Sequence, residues 1–189
     1  MASLVVLLAL LLVATWTDLK YRAIYNRTVY PGIGAALLLN AVAEGLLWAG
    51  VEDAWLRRYI GFVGLGQSLI GFLLCGLLMV VCYVFFHVGG GDVKLIAMVG
   101  AFLGPYQGLE ALLWTFVLGA AAGLMMLVCR IGPGRLLLRL GQQVLWMLRL
   151  RGRAPLSPEE HAELQTRLFL APSALLSVVV VHWDLARLI

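Results

Sequence analysis

Residues 71–104 read GFLLCGLLMVVCYVFFHVGGGDVKLIAMVGAFLG. An apolar run ends at His87, three glycines lead into Asp92, Lys94 follows, and the apolar run resumes. Crossing a hydrocarbon core of about 30 Å takes about 20 predominantly apolar helical residues. Carboxylates within such runs are costly to bury in lipid and need a reason to be there. The stretch therefore carries two expectations together. The chain is a membrane protein, and an acid stands at the edge of one of its spans.

Working outward, composition agrees with the first expectation. The 189 residues are 62% hydrophobic and only 13% charged, with a mean hydropathy of +0.96. A soluble domain of this size has too little interior to hide so much apolar surface. The expected class is an all-α membrane protein, a polytopic helix bundle forming a single domain over residues 1–189. The net charge of +4 fits the Lys and Arg that membrane proteins gather at their cytoplasmic ends. Basic patches interleaved with aromatics are absent, so no nucleic-acid partner is expected. Cys75, Cys82 and Cys129 all lie in apolar runs without a C-x-x-C pair, which argues against a zinc site or disulfide framework.

Six apolar segments can be marked: about Ala2 to Thr17, Thr28 to Trp48, Phe62 to His87, Val93 to Gly104, Leu109 to Cys129 and Phe169 to Leu185. The first has no basic residue before it and reads as a permanent span, not a cleaved signal. The fourth is short for a full crossing. Glycines within the spans, among them Gly61, Gly64, Gly71 and Gly76, read as positions for close helix packing. Trp16, Trp48, Trp114 and Trp183 fall near span ends, as an aromatic belt requires.

Loop charge sets the expected orientation. With the N-terminus outside, Lys20, Arg22, Arg27, Lys94, Arg130, Arg135, Arg139, Arg149, Arg151, Arg153 and Arg167 share one side, against Arg57, Arg58 and Arg187 on the other. The crowded side is expected to be cytoplasmic, leaving both termini extracytoplasmic. Between Arg130 and Arg167, Arg135, Arg139, Gln142, Arg149 and Arg153 recur at helical spacing beside leucines, which predicts a cytoplasmic amphipathic helix lying on the lipid surface. Ser157, with Pro158 after it, reads as the cap of a further short helix. His161 there reads as a surface residue.

Most acids fall in loops or near water, and Glu44 sits near the outer end of the second span. Asp18 and Asp92 instead mark the cytoplasmic ends of apolar segments, at similar expected depth. Two aspartates brought close share a proton and titrate as a pair. The ionised member can activate water while the protonated one polarises a carbonyl. Plainer readings stand beside this one: Asp18 as interfacial charge, Asp92 as a helix N-cap, and Gly89 to Gly91 as a flexible turn.

At these residues the chain resembles the type IV prepilin peptidase family, membrane aspartic proteases of the GxGD kind. The resemblance lies in Gly89-Gly90-Gly91-Asp92 continuing as Val93-Lys94-Leu95, and in Asp18 followed by Leu19, Arg22, Ile24 and Asn26. Pro172, in LFLAPSALLSVVV, echoes the start of the family's last span. The resemblance implies Asp18 and Asp92 as the catalytic pair, with Gly89, Gly90 and Gly91 giving backbone clearance for the substrate strand. It also implies Lys94 acting on Asp92 or on lipid phosphate, and Asn26 hydrogen-bonding near Asp18 or capping the second helix. The implied activity is removal of a short basic leader from prepilins or pseudopilins at the cytoplasmic face of the inner membrane, and it needs no metal or cofactor. The expected partners are that substrate and the bilayer.

Two departures qualify the match. Longer relatives carry an insert with paired C-x-x-C motifs and also methylate the new N-terminus. This sequence lacks such motifs, so peptidase activity without methylation is expected, similar to the short enzymes of Tad-type pili. Tyr25 stands where the family often has proline. The competing classes are a small proton-coupled transporter, with the acids as a relay, and a non-catalytic component of a secretion apparatus.

Overall fold

The computed structural model describes residues 1–21, 23–86, 88–132, 134 and 170–183. The amphipathic helix expected between Arg130 and Arg167, the Ser157 cap, His161 and Arg22 fall outside the described residues or rest on side chains that do. Most of the described residues are helical, and no strand occurs among them. The helices are α1 (Ala2–Tyr21), α2 (Asn26–Trp48), a single turn α3 (Asp53–Trp55) running into π-helical Leu56–Ile60, α4 (Leu65–Phe86), α5 (Gly90–Ile131) and α6 (Leu170–His182). Four of them, α1, α2, α4 and α5, are long and apolar enough to cross a membrane. The chain is an all-α, multi-pass membrane protein, and each of the six expected segments overlaps one of these helices.

Two compact units make up the chain: Met1–Leu118 with Phe169–Ile189, and Gly119–Leu168. The first unit holds the core. On α1 the buried residues Ser3, Leu7, Leu11 and Ala14 recur at steps of four and three, a stripe down one side of the helix. That stripe faces α6 and α2. Residues 95–102 of α5 are all buried, so this part of α5 is surrounded by protein on every side, as a helix apolar all round must be when lipid does not cover it. Ala171, Ala174 and Val178 of α6 and Cys75 and Met79 of α4 join the same core. Leu38, Leu73, Val84 and Phe85 point outward, where lipid replaces water as their solvent.

Lipid tails solvate leucine as well as another helix does, so packing and polar ties hold the bundle together. Gly71 of α4 lies against the backbone of Gly100 and Gly104, leaving no room for a Cβ. Thr115 and Ser177 hydrogen-bond at 2.9 Å and tie α5 to α6. Such interhelical bonds average about 0.6 kcal/mol and reach about 1.7 kcal/mol.

The fourth and fifth segments are two helices, as expected, which meet within α5 at a break at Gly104 (φ 77, ψ −178) just before Pro105. Proline removes an N–H and clashes with the preceding turn, and Gly104 absorbs the break because positive φ is unstrained for glycine alone. Other sequence expectations change. The third span begins at Leu65 rather than Phe62, because Gly61 and Gly64 take φ of 79 and 103 in a connection ahead of it. Gly64 serves this turn without close packing, whereas Gly61 combines positive φ with a close approach to Ser3 of α1 that leaves no room for a Cβ. Glu44 does not simply reach water: its Oε2 accepts the Leu65 N–H at 3.1 Å. Buried Asn40 accepts the N–H groups of Val63 and Gly64 at 3.1 and 3.2 Å. Two side chains of α2 thus satisfy the free amides where α4 begins.

In the second unit the described residues are the end of α5 and Gly132 and Gly134. Leu124 and Met125 are exposed there and Gly123 is buried.

Candidate active site

Asp18 continues the buried stripe of α1. Steps of four and three through Ser3, Leu7, Leu11 and Ala14 arrive at residue 18, one turn before the helix ends at Tyr21. An acid there is carried inward by the same periodicity that buries the leucines. It is half-buried. One of its carboxylate oxygens accepts the backbone N–H of Ala171, in the first described turn of α6. The other, Oδ2, is buried without a hydrogen-bond partner among the described residues. Helix first turns have amides with no intrahelical acceptor, and they favour negative charge. Pro172 follows in the same turn, where its missing N–H leaves no helical bond unmade.

Asp92 lies in the first turn of α5 and is also half-buried. It is not the N-cap. The helix begins at Gly90, so Asp92 is its third residue, and its carboxylate reaches back to the Gly89 N–H. That is one half of a capping box. The Asp92 N–H meanwhile donates to Gly89 O at 3.0 Å, closing the turn. Asp18 lies within electrostatic reach of Asp92.

The three glycines are not equivalent. A Cβ on Gly89 would lie 2.9 Å from Asp92 Oδ2, the oxygen folded back over it. A Cβ on Gly91 would lie 3.0 Å from the Cβ of Ile24, in the segment joining α1 to α2. Gly90 has only Tyr83 Cε2 nearby, at 3.9 Å. The third position therefore faces an atom fixed to the backbone, the first only the movable end of the Asp92 side chain, and the middle one an ordinary contact.

Lys94 is turned away from Asp92. Its ammonium donates to Asn26 Oδ1 at 3.0 Å and lies 5.1 Å from the centre of the Tyr30 ring. Residues two apart on a helix face different sides, and no Lys94–Asp92 ion pair forms among the described residues. Asn26 is the first residue of α2 rather than its cap, and no side-chain cap bond is made there. Its role is to hold Lys94, which ties α2 to α5 beside the acids. Tyr25, at the cap position, has φ −80 and ψ 133, close to the backbone a proline would impose. The sequence signalled the two acids and the glycines. It did not signal the Ala171 amide, which has no side-chain signature, or Ile24 as the reason for Gly91.

A multi-pass helical membrane protein with two interacting carboxylates at helix ends is the class this geometry defines. The sequence model of the type IV leader peptidase family matches residues 5–124, a span that holds both Asp18 and Asp92, and the chain belongs to that family. It is similar to the prepilin leader peptidase/N-methyltransferase of Bacillus subtilis (strain 168), 30% identical over 122 residues. That match takes in 63% of this chain and 42% of the relative, so it spans less than half of the longer protein. No solved structure matches the chain.

Proposed function

We propose that the chain is a prepilin leader peptidase in which Asp18 and Asp92 act as a proton-sharing aspartic pair. The observation that supports this reading is that two half-buried acids, one at the end of α1 and one at the start of α5, lie within electrostatic reach. Each also accepts one backbone amide, from Ala171 and Gly89. The ionised carboxylate takes a proton from water as the water oxygen attacks the scissile carbonyl carbon. The protonated carboxylate hydrogen-bonds the carbonyl oxygen as negative charge develops there. Collapse of the tetrahedral intermediate breaks the C–N bond, and the departing amine takes up a proton from the pair. Metal and cofactor have no part in these steps.

The excess of Lys and Arg on the loops beside Asp18 and Asp92 supports a cytoplasmic site in the inner membrane, with both termini outside. A prepilin or pseudopilin, with a short basic leader before an apolar helix, presents its cleavage point at that boundary. No C-x-x-C occurs in the 189 residues, which supports cleavage without N-methylation. Co-expression with a prepilin, followed by mass spectrometry of the product, tests the whole reading. The expected product is shortened and unmethylated at its new N-terminus. Asp18→Asn and Asp92→Asn should each leave the prepilin uncut while the enzyme still inserts. Full processing by either variant would overturn the assignment.

A further inference from the structure

Among the described residues, the buried side-chain polar atoms without a hydrogen-bond partner are Thr15 Oγ1 and Asp18 Oδ2. They are three residues apart on α1, so they lie on adjoining turns of one face. Helical side chains lean toward the N-terminus, which lays the Asp18 carboxylate over the turn that holds Thr15.

The state of Thr15 is not the usual one for a helical hydroxyl. Such groups commonly return to a carbonyl one turn back. Thr17 Oγ1 donates to Ala14 O at 3.0 Å, Thr115 Oγ1 to Ala111 O at 2.6 Å, and Ser177 Oγ to Ala174 O at 2.8 Å. Thr15 makes no such bond. Native structures rarely leave buried polar atoms unpaired, and those that remain often mark a functional group or a water site. Here both unpaired atoms sit on one helix three residues apart, and one belongs to a carboxylate of the proposed pair.

We infer that Thr15 is a third polar member of the site, which holds a single water together with Asp18 Oδ2 in position to attack the substrate carbonyl. The inference rests on the proposed peptidase function. A buried water is stable with two to four polar partners, and these two atoms supply two. The water gives one proton to the ionised carboxylate as its oxygen bonds to the carbonyl carbon. Its other hydrogen or a lone pair engages the Thr15 hydroxyl, which neither gains nor loses a proton overall. Thr15 is thus a positioning residue.

The test uses the full chain in liposomes with a synthetic prepilin-type peptide, with kcat and KM read by mass spectrometry. Thr15→Val keeps the side-chain shape and removes the hydroxyl. It should lower kcat roughly 10- to 100-fold, the scale of losing a well-placed reactant, with KM within about twofold. Thr15→Ser, which restores the hydroxyl, should recover most of kcat, and Thr17→Val, losing a hydroxyl already satisfied, should match the unsubstituted chain. Thr15→Ala repeats the deletion if valine disturbs the helix. Unchanged kcat in Thr15→Val or Thr15→Ala, or a serine variant as slow as valine, overturns the inference while Asp18→Asn and Asp92→Asn remain inactive. Cleavage by those aspartate variants, or none by the unsubstituted chain, overturns the peptidase reading itself.

Discussion

Substituting alanine at each of Gly89, Gly90 and Gly91 should give three different outcomes, because the space each Cβ would enter differs. At Gly90 the nearest atom is 3.9 Å away, an ordinary contact. Alanine there gains the helix propensity that glycine lacks, about 0.5–1 kcal/mol, and Tm should rise by roughly 2–4 °C per kcal/mol. At Gly91 the same gain is opposed by a Cβ placed 3.0 Å from the Ile24 Cβ. Ile24 is β-branched and that atom is fixed to its backbone, so the α1–α2 connection must move. Overpacking of this kind costs about 1–3 kcal/mol, so the net change is a destabilisation of up to about 2 kcal/mol. At Gly89 the obstructing atom is Asp92 Oδ2 at 2.9 Å, the movable end of a side chain. Stability should change little, but the carboxylate is pushed off the Gly89 N–H and cleavage should slow. Thermal melts of the purified variants, paired with a prepilin cleavage assay, separate the three. Equal effects at Gly90 and Gly91, or Gly89→Ala with full cleavage, would refute the steric account.

Asn40→Ala leaves the Val63 and Gly64 amides without their acceptor. It should destabilise by about 1–3 kcal/mol, read as a lowered melting midpoint. Lys94→Met removes the bond to Asn26 and the contact with Tyr30 but no partner of Asp92. It should cost about 0.5–1 kcal/mol, as an exposed polar tie does, and leave cleavage measurable; complete inactivity would show that Lys94 acts on the acids. Gly71→Ala forces a Cβ into the Gly100 and Gly104 backbone and should reduce the yield of folded protein more than Gly66→Ala, where nothing lies within 4 Å.

How far the sequence reveals the site depends on which forces are local. The inward direction of Asp18 is legible because it extends the steps of four and three that bury Leu7 and Leu11. The position of Asp92 is legible because glycines followed by an acid mark a helix start. The roles of Asn26 and Lys94 were not legible: their bond joins residues far apart in the chain, and either side chain alone admits several partners. Gly64 differs from the packing role its composition suggests, because glycine serves close packing and positive φ equally and only the backbone path tells them apart; Gly61 serves both. The break between the fourth and fifth segments was legible from Gly104 and Pro105, because a proline ends the helix before it and a glycine takes the positive φ.

A further consequence concerns how two acids can remain half-buried in a membrane protein at all. A carboxylate in this setting is costly unless its oxygens find donors. Side-chain donors of opposite charge would quench the pair, and Lys94 is held away by Asn26. The donors used instead are backbone amides at helix first turns, from Gly89 and Ala171. An amide lends partial positive charge without a proton to give up, so it steadies each carboxylate and, in the proposed pair, leaves a shared proton mobile. The same choice explains why α6 reaches the site with Ala171 rather than with a charged residue. An arginine or lysine beside Asp18 would form an ion pair stable enough to hold the carboxylate ionised through the whole reaction. Placing lysine at Ala171, the residue whose amide meets Asp18, should therefore abolish cleavage even where the protein still inserts and melts cooperatively. Cleavage surviving in a folded Ala171→Lys variant would show that the pair does not depend on uncharged donors.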